Sequence, residues 1–151
     1  MDLVDIKILD FLQEDSSMTV KEIASKLFLT PTPIYERIKK LEKAGYIKNY
    51  VALLNADLLG KTLTVFINIT IKDHQLKSRE KFLANMRELD DLVELYHTSG
   101  TYDFLAKVRF TNIYEYRNFL VNKVSCIDNI SEIDSQIVLE EIYSTTKVIL
   151  K

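Results

Sequence analysis

The sequence is poor in the residues that build disulfide-bonded, metal-binding and phosphate-binding sites. It holds one cysteine, two histidines and three glycines in 151 residues. The single cysteine, Cys126, excludes an internal disulfide framework and is typical of a reducing compartment. His74 and His97 have no cysteine or carboxylate around them at metal-ligand spacing, and three scattered glycines cannot form a phosphate-binding loop. We therefore expect no catalytic residue, no metal site and no cofactor, and a protein that is not an enzyme.

Long apolar runs are missing as well. No stretch approaches the roughly 20 apolar residues of a membrane helix, and the N-terminus lacks a basic-then-apolar signal pattern, so we expect a cytoplasmic protein. The formal net charge of -2 argues against nucleic-acid binding by the whole surface. With 47% hydrophobic and 28% charged residues, the chain has the composition of a globular protein and is long enough for one domain or two small ones.

The first 45 residues predict three short helices. The first covers about Val4 to Gln13. The second begins with Thr19 and Glu22, which have the spacing of a capping box. The third begins near Thr30 or Thr32, because proline is tolerated in the first turn of a helix and not deeper. The short connection between the second and third helices forces a steep turn, which is the helix-turn-helix arrangement.

Positive charge concentrates on the third helix, in the stretch "TPTPIYERIKKLEKAGYI". Residues 30–50 hold five basic and two acidic side chains, whereas residues 1–50 are neutral overall. On an isolated helix, the basic face formed by Arg37, Lys39, Lys40 and Lys43 would simply be solvated. As the last helix of a helix-turn-helix unit, it has a second use. Its N-terminus can enter the major groove, where Thr and Tyr contact base edges while Arg and Lys hold phosphates.

The second half of the chain changes to a β period. "TLTVFINITI" alternates strictly and predicts a half-buried strand. A helix follows from about Ser78 to Leu89, then "LVELYHTS" and "DFLAKVRF" predict two strands joined at Gly100. Asn112 and Glu115 open another helix, "ISEIDSQIVL" predicts a fourth strand, and the tail "YSTTKVIL" a fifth.

The order βαββαβ is the ferredoxin-like pattern. We therefore predict an α+β fold with three parts. Residues 1–50 form a winged helix-turn-helix DNA-binding domain, residues 51–61 a hinge strand and linker, and residues 62–151 a ferredoxin-like domain for effector binding and oligomerisation.

Three segments together give a specific resemblance. "MDLVDIKILDFLQED", "LTPTPIYERIKKLEKAGYIKNYVALLN" and "SGTYDFLAKV" resemble the Lrp/AsnC family of transcriptional regulators, also called feast/famine regulatory proteins. The resemblance covers nearly the whole chain. It implies a regulator that binds double-stranded DNA and whose assembly or DNA binding responds to an amino acid or a related small metabolite. It also implies a homodimer that assembles into higher oligomers, such as an octamer.

The resemblance assigns two sets of site residues. The DNA-facing set is Thr30, Thr32, Pro33, Glu36, Arg37 and Lys40, to which the outward Tyr35 and Lys39 are added. The effector set is the loop Ser99, Gly100, Thr101, Tyr102 and Asp103, with Ile133, Asp134, Ser135 and Gln136 on the facing strand. Gly100 agrees with this on physical grounds, since it can adopt a positive φ beside a ligand. Asp103 can either pair with an effector's ammonium group or brace the loop by accepting backbone N–H bonds.

One position departs from the family pattern. Phe28 stands in the turn between the two DNA-binding helices, where the family commonly has glycine. Because a bulky residue disfavours a left-handed conformation, we expect a rearranged turn. Together with the acidic net charge, this leaves a second hypothesis open. The chain would then be a metabolite-binding or protein-docking module whose helical head has lost DNA binding.

Overall fold

A computed structural model describes residues 1–150, which divide into two compact units. The helical unit comprises residues 1–53 together with the tail from Tyr143 onward, and the sheet unit comprises Leu54–Ile142. Among the described residues, no helix is both long enough and apolar enough to cross a membrane.

The helical unit contains the three predicted helices, α1 (Leu3–Glu14), α2 (Val20–Leu27) and α3 (Pro31–Lys43). The apolar stripes of all three meet in one small core. Its buried members are Ile8, Ile23, Ala24, Ile34, Ile38 and Leu41. This core holds α3 by its inward face, so the opposite face is left for solvent or a partner.

The helix starts are specified by side chains. Thr19 and Glu22 form the predicted capping box, in which the Thr19 N–H donates to the Glu22 carboxylate over 2.7 Å. A second capping box, which was not predicted, joins Asp2 and Asp5 at the start of α1. Thr30 is the N-cap of α3, and is the first of the two starts that the prolines allowed.

The turn after α2 keeps the left-handed geometry that Phe28 was expected to prevent. Phe28 has φ 56° and ψ 40°, and its N–H donates to the Ser25 carbonyl over 3.2 Å. The next N–H, of Leu29, donates to the Ala24 carbonyl over 2.9 Å. The expectation of a rearranged turn is therefore wrong. These hydrogen bonds satisfy the last carbonyls of α2 and stabilise a conformation that the side chain alone disfavours.

The sheet unit has the predicted βαββαβ order. Its elements are β1 (Leu63–Ile71), α4 (Leu76–Arg87), β2 (Leu92–His97), β3 (Phe104–Phe110), α5 (Ile113–Asn122), a short 3-10 helix (Val124–Cys126) and β4 (Ile130–Ile137). The strands lie in the order β2-β3-β1-β4, and each neighbouring pair is antiparallel.

One face of this sheet is covered and the other is open. Val65, Ile67, Ile69 and Ile71 of β1 are buried in a core with residues of α4 and α5. Aromatic rings carry much of the packing, since Phe82 of α4 lies 4.8 Å from the Phe104 ring, centroid to centroid. The alternate residues of each strand, among them Phe66, Asn68, Leu105 and Lys107, define what we call the open face.

The predicted fifth strand is wrong, because β4 is the last strand of the described chain. The tail contacts α1 instead. The Val148 N–H donates to the Gln13 side-chain oxygen over 2.9 Å, and the Gln13 amide donates to the Val148 carbonyl over 3.0 Å. Lys147 pairs with Glu14 at 2.6 Å. Where a hinge strand and linker were predicted, residues 51–55 have no regular secondary structure and residues 56–60 form a turn.

Candidate functional site

All eight residues proposed to face DNA lie on α3 or at its N-cap. Six of them are exposed, namely Thr30, Thr32, Tyr35, Glu36, Lys39 and Lys40, and two are half-buried, namely Pro33 and Arg37. The structure therefore brings the whole set onto one helix whose other face is buried against α1 and α2.

The N-terminus of α3 offers side chains more than backbone donors. Pro31 and Pro33 have no N–H, so the first turn lacks two of the free donors that a helix start normally presents. The Thr30 hydroxyl makes no capping hydrogen bond with the helix. This hydroxyl and that of the exposed Thr32 are consequently polar groups that this end of the helix leaves open to a partner.

Arg37 is held by two carboxylates of α1. Its guanidinium lies 2.6 Å from Asp2 and 2.6 Å from Asp5, and Asp5 is only 6% exposed. Burial raises the pKa of Asp5, but the Asp2 N–H and the Arg37 guanidinium outweigh it, so the pKa lies below its ordinary value. The Asp5 N–H and Arg37 likewise lower the pKa of Asp2. This cluster, which we call the Arg37 clamp, fixes α3 to α1.

The remaining lysines of α3 differ in how they are engaged. Lys39 pairs with Glu42 at 2.7 Å and lies 5.8 Å from the centre of the Tyr35 ring. Within residues 1–150, Lys40 and Lys43 make no ion pair. The positive charges of α3 that have no ion-pair partner in this part of the chain are thus those of Lys40 and Lys43, and not that of Arg37.

The hydroxyl of Tyr50 supports the Lys39 pair from outside the helix. It donates to the second Glu42 oxygen over 3.1 Å. Burial, followed by the bond to the Glu42 carboxylate and its charge, raises the pKa of Tyr50 to about 12. Glu42 is therefore held between Lys39 and Tyr50 and screens the positive charge of Lys39.

The second candidate site begins in the loop between β2 and β3. Gly100 has φ 146°, a conformation that favours glycine, so it uses the freedom noted from the sequence. Thr98 closes the loop, since its N–H donates to the Asp103 carbonyl and its hydroxyl to the Tyr102 carbonyl, each over 2.9 Å. Ser99 and Thr101 are exposed at the tip.

Asp103 braces this loop against β1. One carboxylate oxygen accepts the Ile71 N–H over 2.8 Å, and the other lies 3.8 Å from Nδ1 of His74. The Asp103 N–H also donates to the Ile69 carbonyl over 3.0 Å. Of the two roles left open for Asp103, the structure contains bracing through one backbone N–H, that of Ile71.

The four candidate residues of β4 divide between the two faces of the sheet. Asp134 is paired with Asn68 of β1 and Gln136 with Phe66, so both lie on the open face. The Asn68 amide donates to Asp134 over 3.3 Å. Ile133 packs against the core, and Ser135 accepts a hydrogen bond from the Tyr116 hydroxyl. The four residues were assigned to one site because they are adjacent in sequence, but the strand points alternate side chains to opposite faces of the sheet.

Tyr102 of the loop is influenced by the acidic residues of β4. The charge of Asp134, then burial and the charge of Glu132, raise the pKa of Tyr102. Asn68 and Asp134 thus form a hydrogen-bonded polar pair on the open face, and the charge of Asp134 also acts on Tyr102. Asn68 was not among the candidate residues. The alternating pattern of β1, which places it on the outward face, is the signal that could have identified it.

Comparisons with known proteins agree over both units. The family model described as winged helix-turn-helix DNA-binding matches residues 1–48, and the one described as Lrp/AsnC ligand binding domain matches residues 64–148. A leucine-responsive regulatory protein of Haemophilus influenzae is 35% identical over 151 residues, which is 100% of this chain and 91% of that protein.

Two solved structures are similar over almost their full lengths. A transcriptional regulator of Neisseria meningitidis, in complex with L-Met, superposes with a TM-score of 0.94 at 31% identity, covering 99% of this chain and 96% of that one. An AsnC family transcriptional regulator from Agrobacterium tumefaciens also has a TM-score of 0.94, at 35% identity, covering 99% and 97%.

Proposed function

The chain belongs to the Lrp/AsnC family of transcriptional regulators, and from that premise we propose how it binds operator DNA and which of its residues bind an amino-acid effector. The family is one of regulators and not of enzymes. A related structure contains L-Met and a relative is named for its response to leucine, which supports an amino acid or a related metabolite as the effector. A cytoplasmic location follows from this role.

DNA binding is assigned to the exposed face of α3. Thr30, Thr32 and Tyr35 contact base edges in the major groove, while Lys40 and Lys43 hold phosphates. Arg37 acts differently, because its charge is already neutralised by Asp2 and Asp5 of α1. It positions the recognition helix. The observation that carries this assignment is the contrast between the clamped Arg37 and Lys40 of the same helix, which has no ion-pair partner in the described chain.

The salt dependence of DNA binding separates these roles. Duplexes selected by the wild-type protein from a random library serve as the probe, with unselected duplex as reference. For each phosphate that a variant no longer neutralises, the slope of log affinity against log salt should fall by about 0.9. Lys40→Ala should show this reduction. Arg37→Ala should weaken binding and destabilise the helical unit, yet leave the slope unchanged.

Lys77→Ala is the matched control, since Lys77 is an exposed lysine on α4 of the sheet unit that, like Lys40, makes no ion pair within residues 1–150. It should change neither affinity nor slope. If the wild-type protein binds selected and unselected DNA equally at every salt concentration, the proposed function is wrong. If Arg37→Ala reduces the slope as much as Lys40→Ala, the assignment of Arg37 to positioning is wrong.

The alternative hypothesis of a docking module without DNA binding loses one of its two supports. It rested on the acidic net charge and on a disturbed turn at Phe28, but that turn has the ordinary left-handed geometry. The turn therefore gives no reason to expect a displaced recognition helix.

Effector binding is assigned to the loop Ser99–Asp103 and to the open-face part of β4. Tyr102, Asp134 and Gln136 present polar side chains there, while Asp103 keeps the loop in place. A thermal-shift screen of the twenty amino acids tests whether the protein binds an effector of this class. A ligand at about 100 times its dissociation constant should stabilise the protein by roughly 2.7 kcal/mol. If no amino acid raises the melting temperature, the proposed effector class is wrong.

We propose that the chain assembles into homodimers, and the dimers into higher oligomers such as octamers. The exposed apolar side chains of the sheet unit would form the contacts. They cluster in the segments flanking the sheet: Leu54, Leu58, Leu59, Leu139 and Ile142, which are 64–97% exposed. A contiguous exposed apolar surface marks an association site. We retain residues 51–61 as the linker between DNA-binding and effector-binding domains.

A further inference from the structure

Phe28 combines an unfavourable backbone conformation with an exposed apolar side chain. It is one of two non-glycine residues with a positive φ in the described chain, and its conformation is one that glycine adopts without strain. Its side chain is 95% exposed, so no buried contact offsets that strain. A strained residue that stabilises nothing is an indication of function.

The position of Phe28 limits what its ring can contact. Only Leu29 separates Phe28 from Thr30, the N-cap of α3, so Phe28 lies beside the helix end that is assigned to the major groove. Its neighbours extend an exposed apolar edge along that end, because Leu29 is 42% and Tyr35 is 52% exposed. Tyr35 is itself one of the residues of α3 proposed to face DNA.

We propose that Phe28 is a DNA-contacting residue, whose ring packs on apolar surface of the operator beside the base edges that Thr30 and Thr32 contact. Two parts of a duplex have this chemistry, the 5-methyl group of thymine and the face of a deoxyribose. Apolar contact of a side chain with the thymine methyl group is an established mode of sequence recognition. The inference rests on the proposed DNA-binding function and adds a specificity-determining residue to it.

An aromatic contact has a signature that differs from that of a lysine. The ring carries no charge and displaces no counterion, so its removal should lower affinity without changing the salt slope. Removal of a methyl-sized apolar interaction should weaken binding about four-fold per protomer. Lys40→Ala, by contrast, should change the slope.

The test uses the full-length protein and duplexes that the wild type selects from a random library. Phe28→Ala and Phe28→Gly should bind these duplexes at least about four-fold more weakly than wild type, with an unchanged salt slope, whereas Phe28→Leu should retain most of the affinity. The Gly variant removes the strain, so it remains folded and its weaker binding cannot come from instability. Leu3→Ala is the control, because Leu3 is an exposed apolar residue, 77% exposed, on another helix of the same unit.

Uracil substitution in the selected duplex separates the two apolar surfaces. If the ring contacts a thymine methyl group, replacing that thymine by uracil weakens the wild type but not Phe28→Ala. If it contacts a deoxyribose, Phe28→Ala binds the duplex more weakly than wild type, but uracil substitution changes the affinity of both proteins equally. Equal affinity of wild type and Phe28→Ala for the selected duplexes, or a changed salt slope, overturns this inference alone. Failure of the wild type to select any duplex overturns it together with the proposed function.

Discussion

Replacing Phe28 by glycine should stabilise the helical unit, although it removes the largest side chain of the turn. The left-handed conformation costs an L-residue about 1–2 kcal/mol, and glycine is free of this penalty. The ring is 95% exposed, so its removal sacrifices almost no apolar burial. The greater freedom of glycine in the unfolded chain opposes the gain by about 0.4–1 kcal/mol. The net expectation is a stabilisation of about 0.5–1 kcal/mol.

Native-state hydrogen exchange measures this effect in the unit where it arises. Exchange of amides in α2 and α3 through local opening should slow by roughly 2- to 5-fold, since 1.4 kcal/mol corresponds to a factor of ten. Amides of β1 and β3 belong to the sheet unit and provide an internal reference that should not change. Mass spectrometry of the full-length protein, digested after exchange, resolves both sets.

Phe28→Ala is the matched control for the strain argument. Alanine removes the ring but keeps the Cβ atom, so it retains the left-handed penalty and should exchange like the wild type. If Phe28→Ala slows exchange as much as Phe28→Gly, the ring and not the backbone is responsible. If Phe28→Gly exchanges no more slowly than wild type, the strain assigned to this turn does not exist.

Three further expectations concern the loop, the Arg37 clamp and assembly. Asp103→Ala should weaken effector-induced thermal stabilisation by freeing the Ile71 N–H, whereas Asp103→Asn keeps an acceptor there and should preserve it; equal losses would favour pairing of the carboxylate with the effector. Because the folded-state pKa of Asp5 lies below its ordinary 3.8, the clamp stabilises the helical unit above that pH and its contribution is lost as pH falls through the folded pKa. Urea midpoints between pH 6 and roughly pH 2 should show this loss, and Arg37→Ala should remove it. Leu139→Glu places a charge at a residue 97% exposed and should shift oligomers toward monomers in analytical ultracentrifugation, an unchanged sedimentation profile being the contrary result.

Local patterns predicted the elements well, since their determinants lie within a few residues of one another. The Thr19 and Glu22 capping box, the prolines of α3 and the alternation of β1 each specify their own element. The same pattern at the start of α1 was available in Asp2 and Asp5, an acid at the N-cap with another at the third helical position.

Contacts between distant residues were not predictable in this way. "YSTTKVIL" is rich in the β-branched residues that favour a strand, but its backbone groups at Val148 bond with the Gln13 side chain of α1. Nothing local in the tail indicates that partner. The turn at Phe28 shows the converse, because a steric preference of one residue was outweighed by hydrogen bonds that close the helix end.

The candidate sites were predicted as sets, but not the role of each member. Position on α3 placed Arg37 and Lys40 on one outward face, yet only the folded chain brings Asp2 and Asp5 to Arg37. In β4, side chains alternate between the two faces of the sheet, so Asp134 and Ser135 lie on opposite faces although they are adjacent in sequence.

The contact of the tail with α1 makes the helical unit discontinuous in sequence. All of residues 54–142 must be synthesised between the three helices and the segment that contains Lys147 and Val148. The helices can pack on the ribosome as soon as they emerge, but the Gln13 amide and the Glu14 carboxylate meet their partners only after the whole sheet unit has been made. Completion of the DNA-binding unit is therefore a late event in biosynthesis, and synthesis of the inserted sheet unit precedes it.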